Sequence, residues 1–152
     1  MSIALRTLLH RERAAIQAYI VLLDQEAMAL GESNFVRLPE LAELKSNAAA
    51  QITELEQQRD QMQASLGYAT GRAGAEAASA QGGPALMLAW QDVLDSAAAA
   101  HIRNHRNGVM IHTHLDFTRK TLGFLQASGQ PLYGPDGSHK SGGGGRISLA
   151  QG

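Results

Sequence analysis

The side chains best suited to chemistry are the histidines of the third quarter of the chain. His101 and His105 are four residues apart and share one helix face. Such a pair can hold a divalent metal, but a closed site needs further ligands. His112 and His114 follow on different faces, and neither a His-Glu-x-x-His nor a Glu-x-x-His motif is present. Polar, solvated histidines on a long helix are the plainer reading, and no metal or other cofactor is expected. Serines and threonines are scattered, with none in a strand-to-helix elbow. The glycine run at residues 142–145 lacks the Lys-Ser/Thr and the following helix of a phosphate loop. No acid, base and nucleophile converge, so no enzymatic activity is expected. Arg103 and Arg106, then Arg119 and Lys120, make modest basic clusters. Nucleic-acid readers interleave such charge with aromatics, which make up only 5% here. Nucleic acid is therefore not an expected partner.

Composition points the same way. The 152 residues suit one domain, and the net charge is −1, too small to attract a polyanion or a membrane surface. There is no cysteine, so disulfides and thiolate chemistry are excluded. His10, Arg11, Glu12 and Arg13 interrupt any apolar leader. No apolar run approaches the roughly 20 residues that cross a bilayer. A cytoplasmic location without a membrane span is the expectation.

Three long amphipathic helices account for most of the chain. Apolar residues at Leu5, Leu9, Ile16, Tyr19, Leu23, Ala27 and Leu30 predict a helix over residues 3–30, stopped by Gly31. A second stripe, Leu41, Leu44, Ala48, Ile52, Leu55, Met62 and Leu66, predicts a helix over 39–66 that opens on Pro39 and ends before Gly67. The short loop between them makes the two antiparallel neighbours. Pairing Leu30 with Leu41 fixes the register, and each step back along the first helix matches one forward along the second, down to Leu5 with Leu66. Glu12 and Arg59 are the polar pair in this series. Their matching positions predict an ion pair across the seam, adding little net stability but fixing register. The alternative is that both side chains reach to solvent at the seam edge.

Residues 67–83 carry five glycines with many small residues between them, and read as a flexible connection. A turn of helix over 75–80 has no large apolar face to hold it down. A third stripe, Met87, Trp90, Leu94, Ala97, His101, Asn104, Gly108, Ile111, Leu115, Thr118, Leu122 and Leu125, predicts a helix over 84–127. Its middle is polar, so a bend or polar packing is expected near Gly108. The expected fold is thus all-α, three long helices in an antiparallel, coiled-coil-like bundle. A helical domain over 1–127 precedes a flexible, Gly-rich tail over 128–152.

The segment from His101 onward resembles the C-terminal half of the FlgN family of flagellar export chaperones. The resemblance rests on Asn104-x-x-Asn107-Gly108-x-x-Ile111, on Leu122-Gly123-Phe124-Leu125, on Leu132-Tyr133-Gly134-Pro135-Asp136-Gly137, and on Gly145-Arg146 with Ala150. In the first half, Leu8, Leu9 and Glu12, then Glu26, Lys45 and Arg59, are similar to the family. The resemblance implies a helical chaperone that binds the C-terminal helices of hook–filament junction proteins and delivers them to the flagellar export gate. It places partner contacts in the C-terminal region. There Leu132, Tyr133, Arg146, Ile147 and Leu149 are the candidate contact residues. Two rival classes stay open, a homo-oligomeric structural or regulatory coiled coil and a metal-binding helical bundle.

Overall fold

A computed structural model describes residues 2–127, and these are all-helical. The chain divides into two compact units, Met1–Gly108 and Val109–Gly152. Helix α1 spans Ile3–Gly31 and is capped by Ser2, whose Oγ accepts the Leu5 amide at 2.9 Å. Ser33 takes a positive φ of 56° to turn the chain, and a single 3-10 turn, Phe35–Arg37, leads into helix α2, Leu38–Ser65. Pro39 sits in the first turn of α2, where its missing N–H costs nothing. Gly67, at φ 91°, ends that helix. Helix α4 spans Pro84–Ala127, the bounds expected from its periodicity.

The all-helical class agrees with expectation, but the number of helices does not. A fourth helix, α3, forms over Gly71–Gly82, where a flexible connection was expected. It is held by a face of small residues. Gly74, Ala75, Ala78 and Ser79 are all buried, and the two alanines join the core cluster. Small side chains let backbones approach closely, so packing contact replaces the large apolar face that the sequence lacks. At Gly74 a Cβ would run into the Ala69 carbonyl and the Gln63 side chain. Gly74→Ala should therefore destabilise the protein by about 1–3 kcal/mol in urea titration, despite alanine's better helix propensity. Wild-type stability in that variant would show that the Ala69 loop gives way freely.

The core of the first unit is built from Leu5, Leu9, Ile16, Ile20 and Leu23 of α1 and Leu86, Ala89, Trp90, Val93 and Ala100 of α4, with Tyr19, Ile52 and Met62 packed against it. The buried stripe of α4 is not the one expected. Met87, Ala97, His101, Asn104 and Gly108 are exposed, whereas Leu86, Ala89, Val93, Ser96, Ala100 and Asn107 are buried. Trp90 belongs to both stripes. The true stripe is rich in alanine and serine, so its hydrophobic signal is weaker than that of the larger residues beside it.

Side-chain bonds fix the directions of the helices. Gln17 of α1 reaches Ser96 of α4 at 3.0 Å, and Asp24 meets Arg103 at 3.1 Å, seven residues on along both. Over the first unit α1 and α4 are therefore parallel. Helix α2 is antiparallel to both, since Lys45 contacts Glu26 and Asn104 while Arg59 contacts Glu12 and Trp90.

Candidate functional site

Two polar layers cross the first unit. In one, Arg59 Nε donates to Glu12 Oε1 at 2.7 Å and its Nη2 to Glu12 Oε2 at 3.4 Å. Its Nη1 donates to Gln63 Oε1 at 2.9 Å, and the guanidinium lies 5.1 Å from the centroid of the Trp90 ring. Gln63, fully buried, passes the network on: its Nε2 donates to the carbonyls of Ala69 and Gly71 at 2.8 and 3.1 Å. Asp60 accepts the Gly71 amide at 2.8 Å, so the same layer anchors the start of α3. Glu12 is buried, and desolvation raises its carboxyl pKa above the ordinary range while the Arg59 hydrogen bond and charge oppose the rise.

In the second layer Lys45 Nζ lies 3.0 and 3.2 Å from the two carboxylate oxygens of Glu26 and 3.3 Å from Asn104 Oδ1. Asn107, buried, donates from Nδ2 to Glu26 Oε1 at 2.9 Å and to the Leu23 carbonyl at 2.8 Å. The step from Glu12 to Glu26, from Arg59 to Lys45 and from Trp90 to Asn104 is the same fourteen residues on each helix. At ~1.5 Å per residue the layers are about 21 Å apart, two heptads along the bundle. Each sets an acid of α1 against a base of α2.

The structure thus brings Glu12 to Arg59, and Asn104 and Asn107 to Lys45 and Glu26. Gly108 is exposed, and Ile111, in the second unit, is half-buried. Leu132, Tyr133, Arg146, Ile147 and Leu149, and the tail that carries them, lie outside the described residues. His101, His105, His112 and His114 are exposed, and among the described residues no three His, Asp or Glu side chains are grouped to hold a metal ion. Among the described residues, too, no helix is long and apolar enough to cross a membrane. Two features went unremarked in the sequence. Gln63 as a hub has no signal there, because glutamine is ordinary on a helix surface. The Glu26–Lys45 pair did have one, since it obeys the same register as Glu12–Arg59.

The second unit presents a different surface. Over residues 109–127 the helix exposes Val109, Leu115, Phe117, Leu122 and Phe124, with Phe117 66% and Phe124 70% exposed. Leu115 and Leu122, and likewise Phe117 and Phe124, are seven residues apart, so they form two apolar rows, and the two-residue offset between the rows sets them on opposite faces of the helix. Asp116 and Lys120 pair at 3.2 Å on the same helix. Exposed apolar rows of this kind offer area that a partner chain can cover.

Comparison with known proteins gives these features a context. The FlgN protein family matches residues 1–141. The flagella synthesis protein FlgN of Yersinia enterocolitica is 28% identical over 122 residues, 80% of this chain and 78% of that protein. That of Proteus mirabilis is 26% identical over 121 residues, 79% of this chain and 77% of its own length. No solved structure matches the chain. The family match takes in both polar layers and the whole of the exposed apolar helix, and on that extent the chain belongs to the FlgN family.

Proposed function

We propose that the protein is a cytoplasmic chaperone of flagellar type III export. It binds the C-terminal helices of hook–filament junction proteins and hands them to the export gate, and it is not an enzyme. The observation that carries this reading is the exposed row Phe117 and Phe124, with a second exposed row, Leu115 and Leu122, on the opposite face of the same helix. An amphipathic partner helix laid along either row covers apolar area on both partners and needs no chemistry from the chaperone. The name of the relatives, flagella synthesis protein, supports a flagellar client.

Calorimetric titration of the full chain with a junction-protein C-terminal segment tests the proposal. Binding is expected in the wild type. Phe117→Asp with Phe124→Asp should weaken it by at least about 100-fold, since each buried Phe contributes about 1.5–3 kcal/mol. Deleting residues 128–152 should leave the helices folded by circular dichroism and weaken binding, with Tyr133→Ala reproducing part of the loss. Unchanged affinity after the deletion would confine the contact to the helix. Absence of binding to any junction protein would refute the client and favour a structural coiled coil.

A further inference from the structure

One face of α4 in the first unit is left uncovered and carries a charge pattern that, reversed end for end, is complementary to itself. Leu88, Asp92, Asp95, Ala99, Ile102 and Arg106 recur at spacings of three and four and form one stripe. Leu88 is 64% and Ile102 56% exposed, and Arg106 is exposed. Asp92, Asp95, Ala99 and Arg103 line an open groove against Arg13, Gln17 and Val21 of α1. Asp92 and Arg106 make no ion pair among the described residues, and Asp95 accepts only a helix-surface bond from Gln91 at 2.9 Å. The stripe is acidic before Ala99 and basic after it, with Arg103 at its edge, bound to Asp24.

We infer that this stripe is a self-association surface, and that its occupant is α4 of a second copy of the chain, packed antiparallel about a two-fold axis through Ala99. Antiparallel pairing sets Asp92 against Arg106 of the other copy, and Asp95 against its Arg103. Each contact occurs twice by symmetry, as an isologous interface requires. Ala99 meets its own copy at the centre, where a small side chain allows helix axes to close in. Ile102 covers the apolar floor beside Ser96. A parallel in-register pairing would instead set Asp92 on Asp92 and Arg106 on Arg106, which like-charge repulsion disfavours. The pattern therefore selects a partner identical to itself, in one orientation. This surface is separate from the apolar rows of residues 109–127, and the inference does not depend on the client proposed above.

Analytical ultracentrifugation of the full chain tests it by charge exchange. The wild type is expected to dimerise in the micromolar range at low salt and to dissociate as salt rises. Asp92→Arg alone and Arg106→Glu alone should each raise the dissociation constant at least about tenfold, because each places like charges together twice. Mixing these two variants should restore a heterodimer, since each copy then supplies the complement of the other. The double variant Asp92→Arg/Arg106→Glu should regain self-association. Ala99→Arg, with unchanged helicity, should be monomeric. A wild type that stays monomeric at 100 micromolar (on the order of the weakest specific dimers) would overturn the inference. A dimer indifferent to the charge exchange, or one that Ala99→Arg leaves intact, would overturn it as well.

Discussion

Replacing Arg59 by methionine should cost about 3–5 kcal/mol of stability at neutral pH, as for a buried pair broken on one side. The substitution removes the donors that Glu12 and Gln63 now use, at 2.7, 3.4 and 2.9 Å, and leaves a carboxylate that is 2% exposed without a counter-charge. Replacing both partners, Glu12→Leu with Arg59→Met, should recover most of the loss, because the desolvation of two charges is relieved together. The cost should also depend on pH. Burial raises the Glu12 pKa, so the folded protein keeps a proton that the unfolded chain releases. That group's contribution to stability therefore falls as pH rises through the window above the ordinary carboxylate value. Without Arg59 the opposing influence is gone and the window extends upward, so the variant should lose less at pH 5 than at pH 7. Urea titrations at both values measure this. A double variant as unstable as the single one would assign the cost to Arg59 packing on Trp90 rather than to the ion pair.

Asn107→Asp should be comparably severe. The Asn107 amide donates at 2.9 Å to a carboxylate oxygen of Glu26, and both residues are buried. Aspartate there sets two carboxylates in contact and removes the bond to the Leu23 carbonyl. Lys45, itself 19% exposed, cannot neutralise both. A loss of about 3–5 kcal/mol is expected at pH 7. It should shrink on acidification, because a close carboxyl pair holds a shared proton and its folded pKa is raised above the unfolded value. Stability is then fully present below the unfolded pKa and falls as pH rises through the folded one. Asn107→Leu, which adds no charge, should cost less and show no such pH dependence. Equal losses in the two variants, flat with pH, would reduce Asn107 to a matter of shape.

Much of this was legible in the sequence, for reasons that can be named. The hairpin register was readable because Glu12 and Arg59 interrupt two apolar stripes at matching places, and the structure joins them at 2.7 Å. The ends of α1, α2 and α4 were readable from Gly31, Pro39, Gly67 and the onset at Pro84. Helix α3 was not, because packing through Gly74, Ala75 and Ala78 leaves no hydrophobic signal. The buried face of α4 was misjudged for the same reason: Ala89, Ser96 and Ala100 carry less apolar weight than Met87 and Leu94, yet they are the ones buried. In the candidate site, Asn104 and Asn107 were named by resemblance, and their meeting with Glu26 and Lys45 needed three-dimensional placement. Leu115 and Leu122 were read as part of the third stripe without their exposure, and the row of Phe117 and Phe124 was not read, since it lies on the opposite face of that stripe.

The two-heptad interval between the polar layers also shapes how the chain searches for its fold. Heptad-patterned helices can collapse in a neighbouring register with most apolar contacts intact, and such slipped states trap folding. Here a slip of the hairpin by one heptad in one direction would set Glu12 on Ile52, Glu26 on Leu38, Lys45 on Tyr19 and Arg59 on Leu5. In the other direction Glu12 would meet Leu66, Glu26 would meet Ile52 and Arg59 would meet Tyr19. A slip of two heptads can rejoin one acid to one base and strands the remaining two charges. Every misaligned hairpin thus buries charge against hydrocarbon, and only the native alignment satisfies both layers. The ion pairs act less as glue than as a combination lock, steepening the landscape around one register of an otherwise repetitive pattern.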